Sequence, residues 1–101
     1  MKLIMTNHAK VERYDRICAI VDLFNGDLGE VVISTAGCQE GRIQELTSKG
    51  VVIVRSTDNV LITMFLCNVN KAKFFETQGK FLTRAMWERI KANQKYQKLA
   101  A

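Results

Sequence analysis

Residue types that could carry out acid–base chemistry on a phosphate are concentrated in one short segment near the start of the chain, HAKVERYDR. Histidine titrates near neutrality, so His8 could donate or accept a proton. Arginine binds a phosphate with two parallel hydrogen bonds. Helical spacing places Glu12, Asp15 and Arg16 on turns neighbouring His8, with Arg13 beside them. These groups are suited to metal-independent RNA cleavage, although they also fit an ordinary helix in which the acids neutralise Arg16.

Other kinds of chemistry find little support in the sequence. There is no GxGxxG, P-loop, GxSxG or HExxH motif, which excludes the common nucleotide-binding, serine-hydrolase and zinc-protease signatures. One histidine and three cysteines without CxxC spacing do not suit a zinc site. We therefore expect no metal and no cofactor. We interpret Cys18, Cys38 and Cys67 as reduced, largely buried thiols of a cytoplasmic protein.

The net charge of +5 comes from the last third of the chain. Residues 1–67 contain seven Lys/Arg and eight Asp/Glu, whereas residues 68–101 contain eight Lys/Arg and two Asp/Glu. Such asymmetry suggests an anionic partner, most often nucleic acid, and a solvated helix face is the alternative. Aromatic residues interleave with these cations and could stack on bases. The candidate residues for binding nucleic acid or another partner are Lys71, Lys73, Lys80, Arg84, Arg89 and Lys91.

The elements that would position these groups form one small domain, because 101 residues are too few for two. Apolar residues at steps of three and four predict a first helix from His8 to Phe24, which Asn25-Gly26 would end. Residues 28–36 fit either a helix or a strand, and we favour a second short helix. Three strands follow, over 42–46, 50–55 and 60–67. The last two are apolar throughout, so we expect both faces of that sheet to be covered.

The predicted fold is therefore a single α+β domain over residues 1–101. It has an N-terminal helical unit, a three-stranded antiparallel β-meander and a helical turn over 71–75. A basic C-terminal helix over 80–99 packs on the domain or extends from it. The sequence contains no apolar run of the roughly 20 residues that a membrane helix needs, so we expect no membrane partner.

A resemblance to known proteins rests on two features. The HAxxxR start of the first helix, followed by a second arginine, resembles small phage and toxin-type proteins of the RelE, barnase and colicin-like ribonuclease group. The strand VLITMF, which places Thr63 after Ile62, is similar to the last long strand of their meander. The resemblance spans residues 7–67 and implies His8, Arg13, Arg16 and Thr63 as candidate catalytic residues. That group often has an aromatic hydroxyl two residues after the threonine, and this chain has Phe65 there. We therefore expect a ribonuclease-like fold that is either catalytically active or degenerate.

Three functions follow as predictions. The first is an RNA-directed protein of a phage or mobile element, with a RelE-like metal-independent ribonuclease fold. The alternative is a phage-encoded inhibitor of a host defence nuclease, similar to an anti-CRISPR, that binds protein or guide RNA. A third is an accessory protein that dimerises through its long apolar strand or last helix. The partners would be RNA or a nucleoprotein complex, an antitoxin or host nuclease, or a second copy.

Overall fold

The computed structural model describes residues 4–5, 14–37, 39–78 and 81–96, and it has an α+β fold. A sheet lies between one helix on one face and two helices on the other. In chain order the elements are β1 (Ile4–Met5), α1 (Tyr14–Leu23), β2 (Val31–Ala36), β3 (Arg42–Thr47), β4 (Val51–Ser56), β5 (Val60–Leu66), α2 (Val69–Thr77), α3 (Arg84–Asn93) and a 3₁₀ turn (Gln94–Tyr96).

The strands follow the order β1-β5-β4-β3-β2 across the sheet. β2 to β5 form an antiparallel meander, and the short β1 pairs in parallel with β5. Tight turns connect the three predicted strands, with left-handed backbone at Gly50 (φ 78°) and Asn59 (φ 63°). Glycine and asparagine are the residues that adopt this conformation most readily. The three strands predicted from the sequence are thus present as β3, β4 and β5.

The preference for a second short helix over residues 28–36 was wrong, because this segment contains β2. The sheet therefore has four antiparallel strands where the sequence predicted three. Gly29 has φ 86°, which no α-helix tolerates, and the β-branched run that starts at Val31 favours a strand. Ile33 pairs with Leu46 of β3 and is buried beneath α2 and α3.

The two sheet faces carry separate hydrophobic clusters. On one face α1 contributes Ile17 and Ile20, which pack on alternate side chains of β4 and β5. On the other face α2 contributes Ala72 and Phe75, and α3 contributes Met86 and Ile90. Covering both faces explains why β4 and β5 show no polar alternation in the sequence.

The basic helices differ in extent from their predictions. The predicted turn over 71–75 belongs to the longer helix α2, whose N-terminus is capped by the side chain of Asn68. The predicted last helix corresponds to α3 and the 3₁₀ turn that follows it. The side chain of Thr83 caps the N-terminus of α3 by accepting a hydrogen bond from the backbone N–H of Met86. The first helix is described only from Tyr14, so its predicted start at His8 lies outside the described residues. None of the described helices is both long and apolar enough to cross a membrane.

Candidate nucleic-acid interface

Two of the four candidate catalytic residues lie in contact. The Nη2 atom of Arg16 on α1 donates a hydrogen bond to Oγ1 of Thr63 on β5, at 2.5 Å, and both side chains are half-buried. His8 and Arg13 lie outside the described residues. The structure therefore brings Arg16 and Thr63 together, while the rest of the predicted constellation stays a prediction.

Local irregularity of β5 accompanies this contact. Val54 of β4 pairs with Thr63, but the next residue, Arg55, pairs with Leu61, so Ile62 is an extra residue in β5. A β-bulge of this kind redirects neighbouring side chains. Ile17, the next residue on α1, packs into the cluster on this face, which holds Arg16 near the bulge. The Arg16–Thr63 hydrogen bond thus ties helix to sheet, 47 positions apart in sequence.

A second internal arginine contact was missed by the sequence interpretation. Nε of Arg55 on β4 lies 2.5 Å from Oε1 of Glu45 on β3, with 17% and 6% of the two side chains exposed. Glu45 pairs with Ile53, two residues before Arg55, so the two charged side chains belong to the same sheet face as α1. The register of the predicted β3–β4 hairpin is the signal that could have found this ion pair, because register determines which side chains share a sheet face. The sequence leaves that register uncertain by one residue.

Cations lie mostly on the outside of α2, α3 and the 3₁₀ turn. Residues 69–78 and 81–96 contain six Lys/Arg and two Asp/Glu. Both acids have partners, because Glu76 accepts a hydrogen bond from the backbone N–H of Leu82 and Glu88 pairs with Arg84. Lys71 is half-buried, and Lys80 lies outside the described residues. We call the exposed set the cationic face: Lys73, Arg84, Arg89, Lys91 and Lys95.

The aromatic residues near the cationic face divide into two groups. Phe75 is fully buried, and Trp87 packs against the cluster beneath α2 and α3. Phe74 is 37% exposed, and the ammonium group of Lys71 lies 4.6 Å from the centre of its ring. Phe81 is 85% exposed. The sequence indicated aromatic residues among cations, but only the packing distinguishes the buried rings from the exposed ones.

A groove of about 400 Å³ separates β2 from the start of α3. We call it the α3–β2 groove. Phe81 lines it, and its apolar walls are formed by Val32, Ile33, Leu82, Ala85 and Met86. Arg89 is the charged residue among the described lining residues. Neither this groove nor the smaller cavity beside Gly26 and Gly29 is lined by Arg16 or Thr63.

The described cysteines do not form a reactive site. Cys67 is fully buried, and burial raises the pKa of its thiol to about 12 although the nearby Lys71 acts to lower it. A protonated thiol is a poor nucleophile and metal ligand. Cys18 is half-buried, both thiols are free, and Cys38 lies outside the described residues. Within the part of the chain that the structure describes, no three His, Cys, Asp or Glu side chains are grouped as metal ligands.

Comparison of the chain with protein-family models, with curated proteins and with solved structures finds no match. The similarity to RelE-like ribonucleases stays a prediction. The function is therefore argued from the chain's own contacts and charges.

Proposed function

We propose that this protein is RNA-directed and binds single-stranded RNA through its cationic face. The observation that carries the proposal is the excess of exposed positive charge on α2, α3 and the 3₁₀ turn: five cations are exposed, against one exposed acid, Glu88, which pairs with Arg84 at the surface. The other acid, Glu76, is half-buried and accepts a hydrogen bond from the backbone N–H of Leu82. Cations that face solvent can neutralise phosphates and release the counterions condensed around them. Arginine adds bidentate geometry, which Arg84 and Arg89 would supply.

A single strand suits this face better than a duplex. Unpaired bases present their flat surfaces, and an exposed aromatic ring can stack on them. Phe81, in the segment that joins α2 to α3, offers such an exposed ring. A duplex hides its base faces, so it would use the cations but not this ring. The combination supports RNA loops, ends or unpaired segments as targets.

The proposal is tested by fluorescence anisotropy of a labelled oligouridylate of about 12 nucleotides, within the range of single-strand site sizes. Affinity is measured between about 50 and about 200 mM salt. Contact with three to five phosphates predicts a slope of log K against log salt between about −2 and about −3.5. A salt-independent affinity, or no binding at the lowest salt, would contradict the proposal.

RNA cleavage is a second candidate, and it is supported by the hydrogen bond between Arg16 and Thr63, two of the residues that the resemblance to RelE-like ribonucleases implies. In this candidate His8 would transfer the proton, and Arg13 and Arg16 would stabilise charge on the phosphate. His8→Ala and Arg13→Ala should each abolish cleavage of a labelled RNA while the thermal unfolding temperature stays unchanged. RNA that stays intact with the wild-type protein would exclude cleavage and leave binding standing.

The inhibitor alternative is separated from RNA binding by a pull-down from host lysate, with and without ribonuclease treatment. RNA recovered with the tagged protein, and lost after treatment, supports the proposal. A stoichiometric protein partner that survives treatment, in a protein that binds no RNA, would contradict it and favour an inhibitor of a host nuclease.

A further inference from the structure

Phe81 is a large apolar side chain that contributes little to the packing of the fold. Its exposed fraction of 85% contrasts with Phe75, which is fully buried six positions earlier. An isolated exposed apolar residue needs no explanation, but Phe81 lies at a groove with apolar walls. A ring in this position is available to a ligand on at least one of its flat surfaces.

The α3–β2 groove has the size and composition of a small-molecule site. Its volume of about 400 Å³ falls within the usual range of roughly 300–1,000 Å³ for ligand pockets. The walls are aliphatic side chains from β2 and α3, which can contact a flat ring from both sides. The groove thus fits a planar, weakly polar group of about the size of a nucleobase.

Charge around the groove selects an anionic ligand. Arg89 lines the groove, and no Asp or Glu is among the described lining residues. Arg84, five positions before it on α3, is exposed and belongs to the cationic face. A base that entered the groove would therefore bring its own phosphate towards guanidinium groups, which recognise phosphate with two hydrogen bonds.

We propose that the α3–β2 groove receives one unstacked base of the bound RNA strand. Phe81 stacks on this base, and Arg89 binds the adjacent phosphate. This inference rests on the proposed RNA binding and adds a base-dependent contact to a phosphate-dependent one. Stacking on an aromatic side chain tolerates any base, so the groove raises affinity without requiring a sequence.

An extended peptide fits the same region less well. β2 is an edge strand, and edge strands can pair with an added strand. However, the pairing of β2 with β3 shifts register between Val31 and Ile33, and such a bulge interrupts the regular spacing that an added strand would follow. The cationic surroundings also suit a polyanion, whereas a peptide would need acidic residues at matching positions.

The test compares two strands of equal length and charge, an oligouridylate and its abasic analogue. We expect the wild-type protein to bind the oligouridylate about tenfold more tightly, because stacking one base on an aromatic ring raises affinity by roughly 5- to 150-fold. Phe81→Ala should remove the preference, whereas Phe81→Trp should keep it. Because neither change alters a cation, the salt slope should stay that of the wild type.

Two alanine substitutions on α3 provide a matched pair. Ala85 lines the groove and Ala92 does not, and both are exposed on the same helix. Ala85→Leu should fill the groove and remove the base preference, and Ala92→Leu should leave it unchanged. Thermal unfolding of each variant confirms that the fold is intact.

The outcomes separate this inference from the proposed function. Equal affinity of the wild type for both strands, with the expected salt slope, would overturn the groove proposal and leave RNA binding standing. A base preference that survives both Phe81→Ala and Ala85→Leu would also overturn it. A wild-type protein that binds neither strand would overturn the proposed function itself.

Discussion

The two faces of the sheet use their positive charges differently. On the face covered by α1, Arg16 donates to Thr63, and Arg55 pairs with Glu45, so both guanidinium groups bond within the protein. On the opposite face α2 and α3 cover the sheet mainly with apolar side chains, and five cations of α2, α3 and the 3₁₀ turn are exposed to solvent. The first arrangement stabilises the fold, and the second leaves charge available to a partner.

This difference shows why residue type alone is a weak guide to a site. The segment around Arg16 contains residues suited to catalysis, but Arg16 contacts a threonine that is itself half-buried. The lysines and arginines of α3 also fitted an ordinary solvated face in the sequence, and in the structure Arg89 lines the groove beside the exposed ring of Phe81. Exposure, rather than chemical identity, separates the two sets of cations.

The largest expected effect concerns the core that supports the cationic face. Phe75→Ala should lower the free energy of unfolding by about 3–5 kcal/mol, because it leaves a cavity beneath α2 and α3. Urea unfolding measures the loss. Phe81→Ala is the control, and it should change stability by less than about 0.5 kcal/mol because its ring is exposed. Equal losses in the two variants would contradict the described packing.

The next effect concerns the internal ion pair on the face of α1. Glu45→Ala leaves Arg55 without this carboxylate in a largely buried position, and we expect a loss of about 3 kcal/mol. RNA affinity should stay within twofold of the wild type, as the pair lies away from the cationic face. A large loss of RNA affinity in a folded variant would show that both faces contribute to binding.

A smaller effect is expected for the contact between α1 and β5. Arg16→Ala and Thr63→Val should each cost about 1–2 kcal/mol in unfolding free energy. A double-mutant cycle should give a coupling of about 1 kcal/mol, since each substitution removes the same hydrogen bond. Additive losses would show that the contact does not stabilise the fold. Unchanged RNA affinity in both variants would confirm that the contact is structural.

The last effect is absent at neutral pH and appears only in alkaline solution. Burial raises the pKa of Cys67 from 9.0 to about 12, so the unfolded thiol loses its proton first. Stability from this group is fully present below about pH 9 and falls as the pH rises from 9 towards 12. Urea unfolding at several pH values, compared with Cys67→Ala, isolates the change. A thiol that ionises near pH 9 in the folded protein would contradict the burial of Cys67 described above.

The sequence predicted the parts of the fold that depend on local patterns. β4 and β5 were found because their apolar runs are separated by turn residues, and Asn25-Gly26 does follow α1. β2 was mistaken for a helix because the spacing of Leu28, Val31 and Val32 fits a helical stripe. The backbone of Gly29 and the pairing with β3 decide in favour of a strand, and neither is visible in a helical stripe.

Only the part of the site that depends on amino-acid composition was predictable from the sequence. The excess of lysine and arginine after residue 68 indicated a cationic segment, and five of those side chains are exposed. The α3–β2 groove was not predictable, because Val32 and Phe81 are 49 positions apart and meet only through the tertiary fold. The Glu45–Arg55 pair depended on strand register for the same reason.

The central claim is tested most directly by the salt dependence of RNA binding in two charge-matched variants. Arg89→Gln/Lys91→Gln removes two cations from α3, and Arg42→Gln/Lys49→Gln removes two from β3 and the turn after it. We predict that the first variant lowers the magnitude of the slope of log K against log salt by up to about 1.4, and that the second leaves it unchanged. Equal slopes in the two variants would show that net charge, and not the cationic face, determines RNA binding.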